Sequence, residues 1–507
     1  MTEQVYFFDT TLRDGEQTPG VSLQTPEKIQ IAKALAQMGV QVIEAGFPAA
    51  SPGDLEAVAA IAREVRGTTI CGLSRSVISD IEKAEEALKE AERSRLHIFI
   101  ATSDIHLKYK LKMTREEAIE QVKECLVFAK GKFDEIEFSA EDASRTDLDY
   151  LCQIFEVAIE GGASILNVPD TVGYMTPEEF GNKIKYIKDH VKGIDKAIIS
   201  VHCHDDLGLA NANSLAAIKN GARQVECTVN GLGERAGNAA VEEITMALTM
   251  RKDIYGVDAP LDTKQFTRVS KLVSKLTGVV VPPNKAIVGS NAFAHESGIH
   301  QHGMLNNPET YEIMTPESVG AEKTNIVLGK HSGRHAFEDH LERLGFTLEA
   351  DKINTLFKAF KQLADRKKHI YDDDLMALVM DNLDRKQAVS LIHHHYKSDE
   401  IGFAYADVRL ETPDGILEDA AVGDGPVDAS IKAVQRVIDK PLHLQEYRMR
   451  AITEGKDALG EATVKVECNG RLYHGRGIST DIVTSSVNAY INAVNSIYLT
   501  EALELKK

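Results

Sequence analysis

Two periods alternate through the first 235 residues, and that alternation constrains the fold more than any other feature. Short runs rich in β-branched and aromatic residues are separated by longer segments with apolar residues at helical spacing. The runs are QVYFFDTTL from Gln4, QVIEAGF from Gln41, TTICGLS from Thr68, RLHIFIATS from Arg95, EIEFSAE from Glu135, SILNVPDT from Ser164, AIISVHCHDD from Ala197 and RQVECTVNGLGE from Arg223. Between them, TPEKIQIAKALAQMG and TPEEFGNKIKYIKDHV each open with a threonine cap, a proline in the first turn and an acid near the positive end of the helix dipole. Eight strand–helix units in about 250 residues predict an α/β fold, a (β/α)8 TIM barrel. A doubly wound open sheet is the competing arrangement.

Each run ends in polar chemistry: Arg13–Asp14, Glu44, Ser74–Arg75, Thr102–Asp104, Glu141, Asp170–Thr171, His202–His204 and Glu234–Asn238. In a barrel all these ends open on one face, where barrel enzymes build their sites. His202 and His204 are two apart in a strand, so both project to one side and Cys203 to the other. Two neutral imidazoles plus one carboxylate leave open positions on a divalent ion, as a metal-assisted reaction needs. Asp14 is the leading carboxylate, because strand one lies next to strand eight and near strand seven once a barrel closes. Asn238 offers a fourth, neutral oxygen. A His-X-His pair alone is common by chance; its place at the end of the seventh run, with an acid after the first, gives it weight. The tract His393–His395 lacks such support and reads as a solvated strand edge, and Cys203 as a packed thiol.

The chain has 507 residues, long enough for two or three domains. Its net charge of −19 argues against nucleic acid or an anionic membrane as the main partner. Six cysteines at no paired spacing do not suggest a disulfide framework. The N-terminus shows no secretory signal, and no apolar run is long enough to span a membrane, so a cytoplasmic protein is expected. The barrel is expected over 1–278. A linker with helical subdomains that complete the site is expected over 279–388, and a C-terminal α/β domain over 389–507. That last domain repeats itself: units starting at Ala406 and Ala462 each read as a strand, a glycine turn (Asp414–Gly415, Asn469–Gly470), a second strand, a Gly-rich loop and a helix.

DTTLRDGEQTPG from Asp9, VHCHDDLGLANANSLAAI from Val201 and NGLGERAGN from Asn230 together resemble the acyl-CoA condensing metalloenzymes built on a (β/α)8 barrel. The resemblance runs through the whole chain, including SGIHQHG and the C-terminal repeats. LRDGEQTPG favours the isopropylmalate branch over the homocitrate branch, which typically has Glu where Asp14 stands. The resemblance implies condensation of acetyl-CoA with 3-methyl-2-oxobutanoate, giving 2-isopropylmalate and CoA in the committed step to leucine. It implies a divalent metal (Mn, Mg, Zn or Co) on Asp14, His202, His204 and Asn238. It further implies a homodimer and a C-terminal domain that binds leucine as inhibitor. Arg13 suits the alkoxide that develops on the keto oxygen, with Asp9 and Glu44 orienting its guanidinium. Glu141 is the first candidate for the base that deprotonates the acetyl methyl group. His300 and Tyr311 resemble residues that complete the site, often from the partner subunit. Thr171 and His97 resemble positions for the substrate carboxylate and the polar pocket. Leu73, Ser139 and Asn238 are candidates to line the branched side-chain pocket. Glu234 is a candidate orienter behind the ligands. Lys330 and Arg334, at a helix start, suit an anion such as CoA. The loops around Gly423–Gly425 and Gly475–Gly477 suit an amino-acid carboxylate. Citramalate synthase, taking pyruvate, shares the barrel and the metal. A metal-dependent barrel hydrolase and an amino-acid sensor with an inactive barrel are readings from other classes. A related lyase is disfavoured, because its reactive-cysteine loop is absent near NGLGERAGN.

Overall fold

The computed structural model describes residues 3–297 and, beyond them, all but 298–299, 301–302, 305–306, 322–324, 327, 330–331, 345, 347, 367–369, 371–373, 376–377, 380–387, 399–402, 452–459 and 505–507. Eight parallel strands close into a barrel in chain order. They are β1 (Tyr6–Asp9), β2 (Val42–Gly46), β3 (Thr69–Arg75), β4 (Ser94–Ala101), β5 (Glu135–Glu141), β6 (Ile165–Asp170), β7 (Ile198–Cys203) and β8 (Gln224–Cys227). β8 pairs with β1, Gln224 opposite Tyr6 and Cys227 opposite Asp9, which excludes the open sheet.

The surrounding helices are α1 (Thr25–Met38), α2 (Pro52–Glu64), α3 (Ile78–Leu88), α4 (Arg115–Ala129), α5 (Leu148–Gly161), α6 (Pro177–His190), α7 (Ala210–Lys219), α8 (Val241–Met250) and α9 (Phe266–Thr277). Their starts follow local chemistry. Thr114 with Glu117, and Thr176 with Glu179, form reciprocal capping boxes on α4 and α6. On α1 the cap is Gln24, one residue before the expected Thr25. The main core fills the layer between strands and helices, with Ile31, Leu35, Ile61, Leu126, Phe155 and Ile184 fully buried. A small separate cluster of Phe8, Val42 and Cys71 lies inside the barrel; Val42 shares a strand face with Glu44, and the Phe8 ring meets His97 edge-on at 5.6 Å.

The chain forms two compact units: Met1–His295 with Pro308–Asn325, and Glu296–Asn307 with Ile326–Lys507. The expected linker is therefore shared between them. Pro308–Asn325 belongs with the barrel because its backbone accepts hydrogen bonds from α9 and the turn before it, Thr263 Oγ1 to Ser318 O at 2.6 Å and Thr267 Oγ1 to Val319 O at 2.9 Å.

In the second unit, α10 (Arg334–Arg343) and α11 (Ala350–Arg366) share a core with Phe337, Leu341 and Phe360. Two three-stranded antiparallel sheets follow. One holds β9 (Ser390–Ser398), β10 (Ala404–Thr412) and β11 (Gly415–Gly423), followed by α12 (Pro426–Val437). The other holds β12 (Leu442–Ala451), β13 (Gly460–Cys468) and β14 (Arg471–Ser479), followed by α13 (Ile482–Glu504). Each repeat thus begins one strand earlier than its sequence suggests. β9 and β12 carry long polar side chains that hide the strand period, and His393–His395 lie on the outer strand β9. The predicted turns form where φ must be positive, at Gly415, Asn469 and Gly470. The second predicted loop does not: Gly475 and Gly477 are buried within β14. A Cβ on either would stand 1.9 or 2.1 Å from a carbonyl oxygen of α13, so close helix–strand packing sets those glycines. Among the described residues, no helix is long and apolar enough to cross a membrane, and all six cysteines are free and buried.

Candidate metal centre and active site

Only β8 separates β7 from β1 in the ring, so the turn after β1 meets the end of β7. Asp14 sits in that turn, its N–H donated to Thr10 Oγ1 at 3.3 Å. Its Oδ2 lies 3.7 Å from His202 Nε2 and 3.7 Å from His204 Nε2. One donor atom from each of the three residues falls within 4.8 Å of the others, and all three are buried.

Asn238 joins them from the loop after β8, through a backbone bridge to His204. Its Nδ2 donates to Asp14 Oδ1 at 2.6 Å and Leu232 O at 2.9 Å. Its Oδ1 is buried with no hydrogen-bond partner. A buried oxygen left unmatched beside a carboxylate and two imidazoles is what a neutral ligand of a cation requires. Glycine at 233 makes room for it: a Cβ there would lie 2.2 Å from Asn238 Nδ2 and 3.0 Å from Asp14 Oδ1. The four residues therefore fit a divalent ion. Burial holds the His202 imidazole neutral, lowering it to about 4. Burial alone would raise Asp14, but Arg13 and the two histidines hold its carboxyl well below the usual range.

A ring of buried polar groups backs this cluster. Arg13 reaches Asp14 Oδ2 through Nη1 at 2.7 Å and Glu44 Oε2 through Nε at 2.6 Å. Thr10 Oγ1 donates to the same Glu44 oxygen at 2.6 Å. Glu44 Oε1 pairs with His97 Nδ1 at 2.8 Å. His97 Nε2 faces Glu226 Oε1 at 3.9 Å, and Glu226 Oε2 holds His202 Nδ1 at 2.7 Å. Burial would push His97 down, but Glu226 and Glu44 outweigh it and lift the imidazole to about 9. Burial lifts Glu226 to about 7. In Glu44, Arg13 and His97 overcome burial and bring the carboxyl to about 2. One layer deeper, Arg95 Nη1 bonds Glu137 at 2.9 Å and Gln224 at 2.7 Å.

The other candidates fall in several places. Ser139 and Leu73 are buried on β5 and β3; the Ser139 hydroxyl accepts from Asn167 Nδ2 at 2.9 Å. Thr171 Oγ1 accepts from Asp142 N at 3.0 Å. Both oxygens of Glu141 accept from Lys110 Nζ, at 2.6 and 2.8 Å. Asp9 does not orient Arg13. Its Oδ1 takes the Thr11 N–H at 2.9 Å to close the turn after β1, and burial raises its carboxyl to about 7. Glu234 does not stand behind a ligand either. It is exposed, 3.8 Å from Arg235, because the turn it occupies points outward. The orienting carboxylate is Glu226, which sequence reasoning missed. Tyr311 belongs to the barrel unit, 44% exposed, its ring 6.5 Å from that of His295. His300 is an exposed residue of the second unit. Arg334 opens α10, where its guanidinium lies 3.7 Å from Glu338; Lys330 lies outside the described residues.

Three family profiles divide the chain. The one described as HMGL-like matches residues 4–273. A homocitrate synthase post-HMGL domain-like profile matches 287–368, and the LeuA allosteric (dimerisation) domain matches 369–498. A protein of Ruminiclostridium cellulolyticum named 2-isopropylmalate synthase is 55% identical over 495 residues, covering 98% of this chain and 97% of that one. Proteins of the same name from Heliobacterium modesticaldum and Pyrococcus furiosus are 54% and 53% identical, covering 98% of this chain and 97% and 100% of their own.

Proposed function

The chain belongs to the 2-isopropylmalate synthase family, and we propose that it condenses acetyl-CoA with 3-methyl-2-oxobutanoate and hydrolyses the thioester, releasing 2-isopropylmalate and CoA. The observation that carries this reading is the convergence of Asp14, His202 and His204 beside Arg13 in a barrel mouth. A divalent ion held by these ligands and Asn238 would supply Lewis-acid polarisation of the keto group.

The chain's own residues do the rest. Arg13 commits Nε and Nη1 to Glu44 and Asp14, leaving Nη2 to face the oxygen that becomes an alkoxide. Thr171 accepts a backbone hydrogen bond, so its own O–H is available to the substrate carboxylate, and His97, held by Glu44, contributes to the polar pocket. Leu73 and Ser139 line the side-chain pocket. Glu141, steadied by Lys110, takes the proton from the acetyl methyl group; the enolate attacks the ketone, and water then cleaves the thioester. His300 and Tyr311 complete the site from a partner subunit. The allosteric (dimerisation) domain supports a homodimer inhibited by leucine, and the family's biosynthetic role supports a cytoplasmic location.

A thiol-release assay tests this. Metal-loaded protein should release CoA faster with 3-methyl-2-oxobutanoate than with pyruvate. Faster release with pyruvate would make it a citramalate synthase, and no release with either would refute the condensation.

A further inference from the structure

We propose that the turn Leu107–Leu111, with Lys112, binds the 3′-phosphate and diphosphate of coenzyme A and presents Tyr109 to the adenine ring. This rests on the acetyl-CoA reading above.

The first argument is charge. Over residues 104–115, DIHLKYKLKMTR, the chain places Lys108, Lys110, Lys112 and Arg115 against the single acid Asp104, although its overall charge is −19. Arg115 is taken up by Asp104, at 2.8 Å through both Nε and Nη2. Lys110 is taken up by Glu141. Among the described residues, neither Lys108 nor Lys112 has an ion-pair partner, and both are exposed. Two cations left uncompensated on one turn of an acidic protein suit a polyanion.

The second argument is position. The turn follows β4 on the catalytic face, and the Lys110–Glu141 pair ties it to the end of β5. β4 and β5 stand across the ring from β8 and β1, which carry the metal-ligand loops. Eight strands about 4.8 Å apart and tilted by about 36° make a mouth about 15 Å across. A nucleotide held at one rim therefore sends its pantetheine arm over the opening toward the metal ligands.

The third argument is construction. The turn is a five-residue π-helical segment closed by Lys112 in a left-handed conformation, φ 57°. π turns concentrate at functional sites, and a left-handed lysine is held there only by its surroundings. Leu107 is the buried anchor, its N–H bonded to Ser103 O at 2.9 Å, and Met113 N–H returns to Leu107 O at 3.2 Å. On this braced turn Tyr109 is 69% exposed, with Lys108 Nζ 5.1 Å from its ring centre. An aromatic face beside cations is how proteins stack a nucleobase and hold its phosphates.

The test compares CoA and acetyl-CoA with S-acetylpantetheine, which keeps the reactive arm and lacks the nucleotide. The variants are Lys108→Gln with Lys112→Asn, asparagine tolerating the left-handed backbone, and Tyr109→Ala alone. Each should weaken CoA and acetyl-CoA about tenfold by calorimetry, leave S-acetylpantetheine unchanged, and retain metal binding as proof of an intact barrel. The lysine variant should also bind CoA with a shallower salt dependence. Unchanged CoA affinity, or equal losses for CoA and S-acetylpantetheine, would overturn the assignment. Wild-type protein that binds S-acetylpantetheine but gains nothing from the nucleotide would also overturn it, while leaving the acetyl-transfer reading intact. Failure of the wild type to bind either thioester would instead sink the acetyl-CoA reading itself.

Discussion

Glu226 decides how His202 presents its lone pair. With Nδ1–H donated to Glu226, the imidazole turns Nε2 toward Asp14, and such an arrangement fixes both tautomer and ring orientation. Glu226→Gln keeps an acceptor and removes the charge. Metal affinity should then fall about tenfold in a chelator competition; an unchanged affinity would reduce Glu226 to a space-filling residue. His97 supports a pH prediction. Its imidazole stands at about 9 in the fold against about 6.5 for the free side chain, so the unfolded chain loses that proton first as pH rises. The stability it contributes is complete below about pH 6.5 and is lost as pH climbs through about 9. In urea unfolding, the gap between wild type and His97→Gln should therefore be widest near pH 6 and narrow steadily toward about pH 9.5. A gap that widens over this range would contradict the charged His97 between Glu44 and Glu226.

Elements fold from local signals, and this is why most of the barrel was readable in advance. Each of the eight runs carries its own β-branched period and its own stop, so β1 to β8 needed no knowledge of their neighbours. Asp14, His202 and His204 were legible because strand ends in a closed barrel share one face. Glu226 was not. Its role depends on pairing β8 with both β7 and β1, a relation between residues distant in sequence. One signal was present: Glu44, Glu137 and Glu226 are acids in the middle of strands buried on both sides, and such acids must find partners inside. Asp9 and Glu234 misled because nearness in sequence to Arg13 or to the ligand loop says nothing of side-chain direction. The glycines of the last domain misled for another reason, since a turn glycine and a packing glycine look alike in sequence. Alanine separates them. At Gly477 the new Cβ would meet Ser485 O at 2.1 Å and Ala489 N at 2.6 Å, backbone atoms that cannot rotate away. Gly477→Ala should cost about 1–3 kcal/mol in the unfolding of the second unit. At Gly425 nothing lies within 4 Å and φ is −170°, so Gly425→Ala should change stability by less than about 0.5 kcal/mol. Equal effects at the two positions would return Gly477 to an open loop.

At the scale of the whole molecule, the candidate metal cluster and the allosteric (dimerisation) profile fall in different compact units. Asp14, His202, His204 and Asn238 all lie in Met1–His295, as do Arg13, His97 and Glu226. The allosteric (dimerisation) profile covers 369–498, entirely within the other unit. Among the described residues that unit adds none to the Asp14, His202 and His204 cluster, and its two sheet–helix repeats carry a separate core around Val434, Val464, Tyr490 and Val494. A core of its own means the domain folds from its own contacts, so the barrel does not need it to assemble the ligands. A chain ending before Ser390 should therefore bind a divalent ion with the affinity of the full protein in a metal titration. Its CoA release should no longer respond to leucine, whereas the full chain should slow as leucine is added. Truncation removes the dimerisation domain as well, so the informative quantity is the ratio of rates with and without leucine at each length. A truncated chain still slowed by leucine would place the inhibitor in the barrel unit, and loss of metal binding on truncation would show that the two units are not independent.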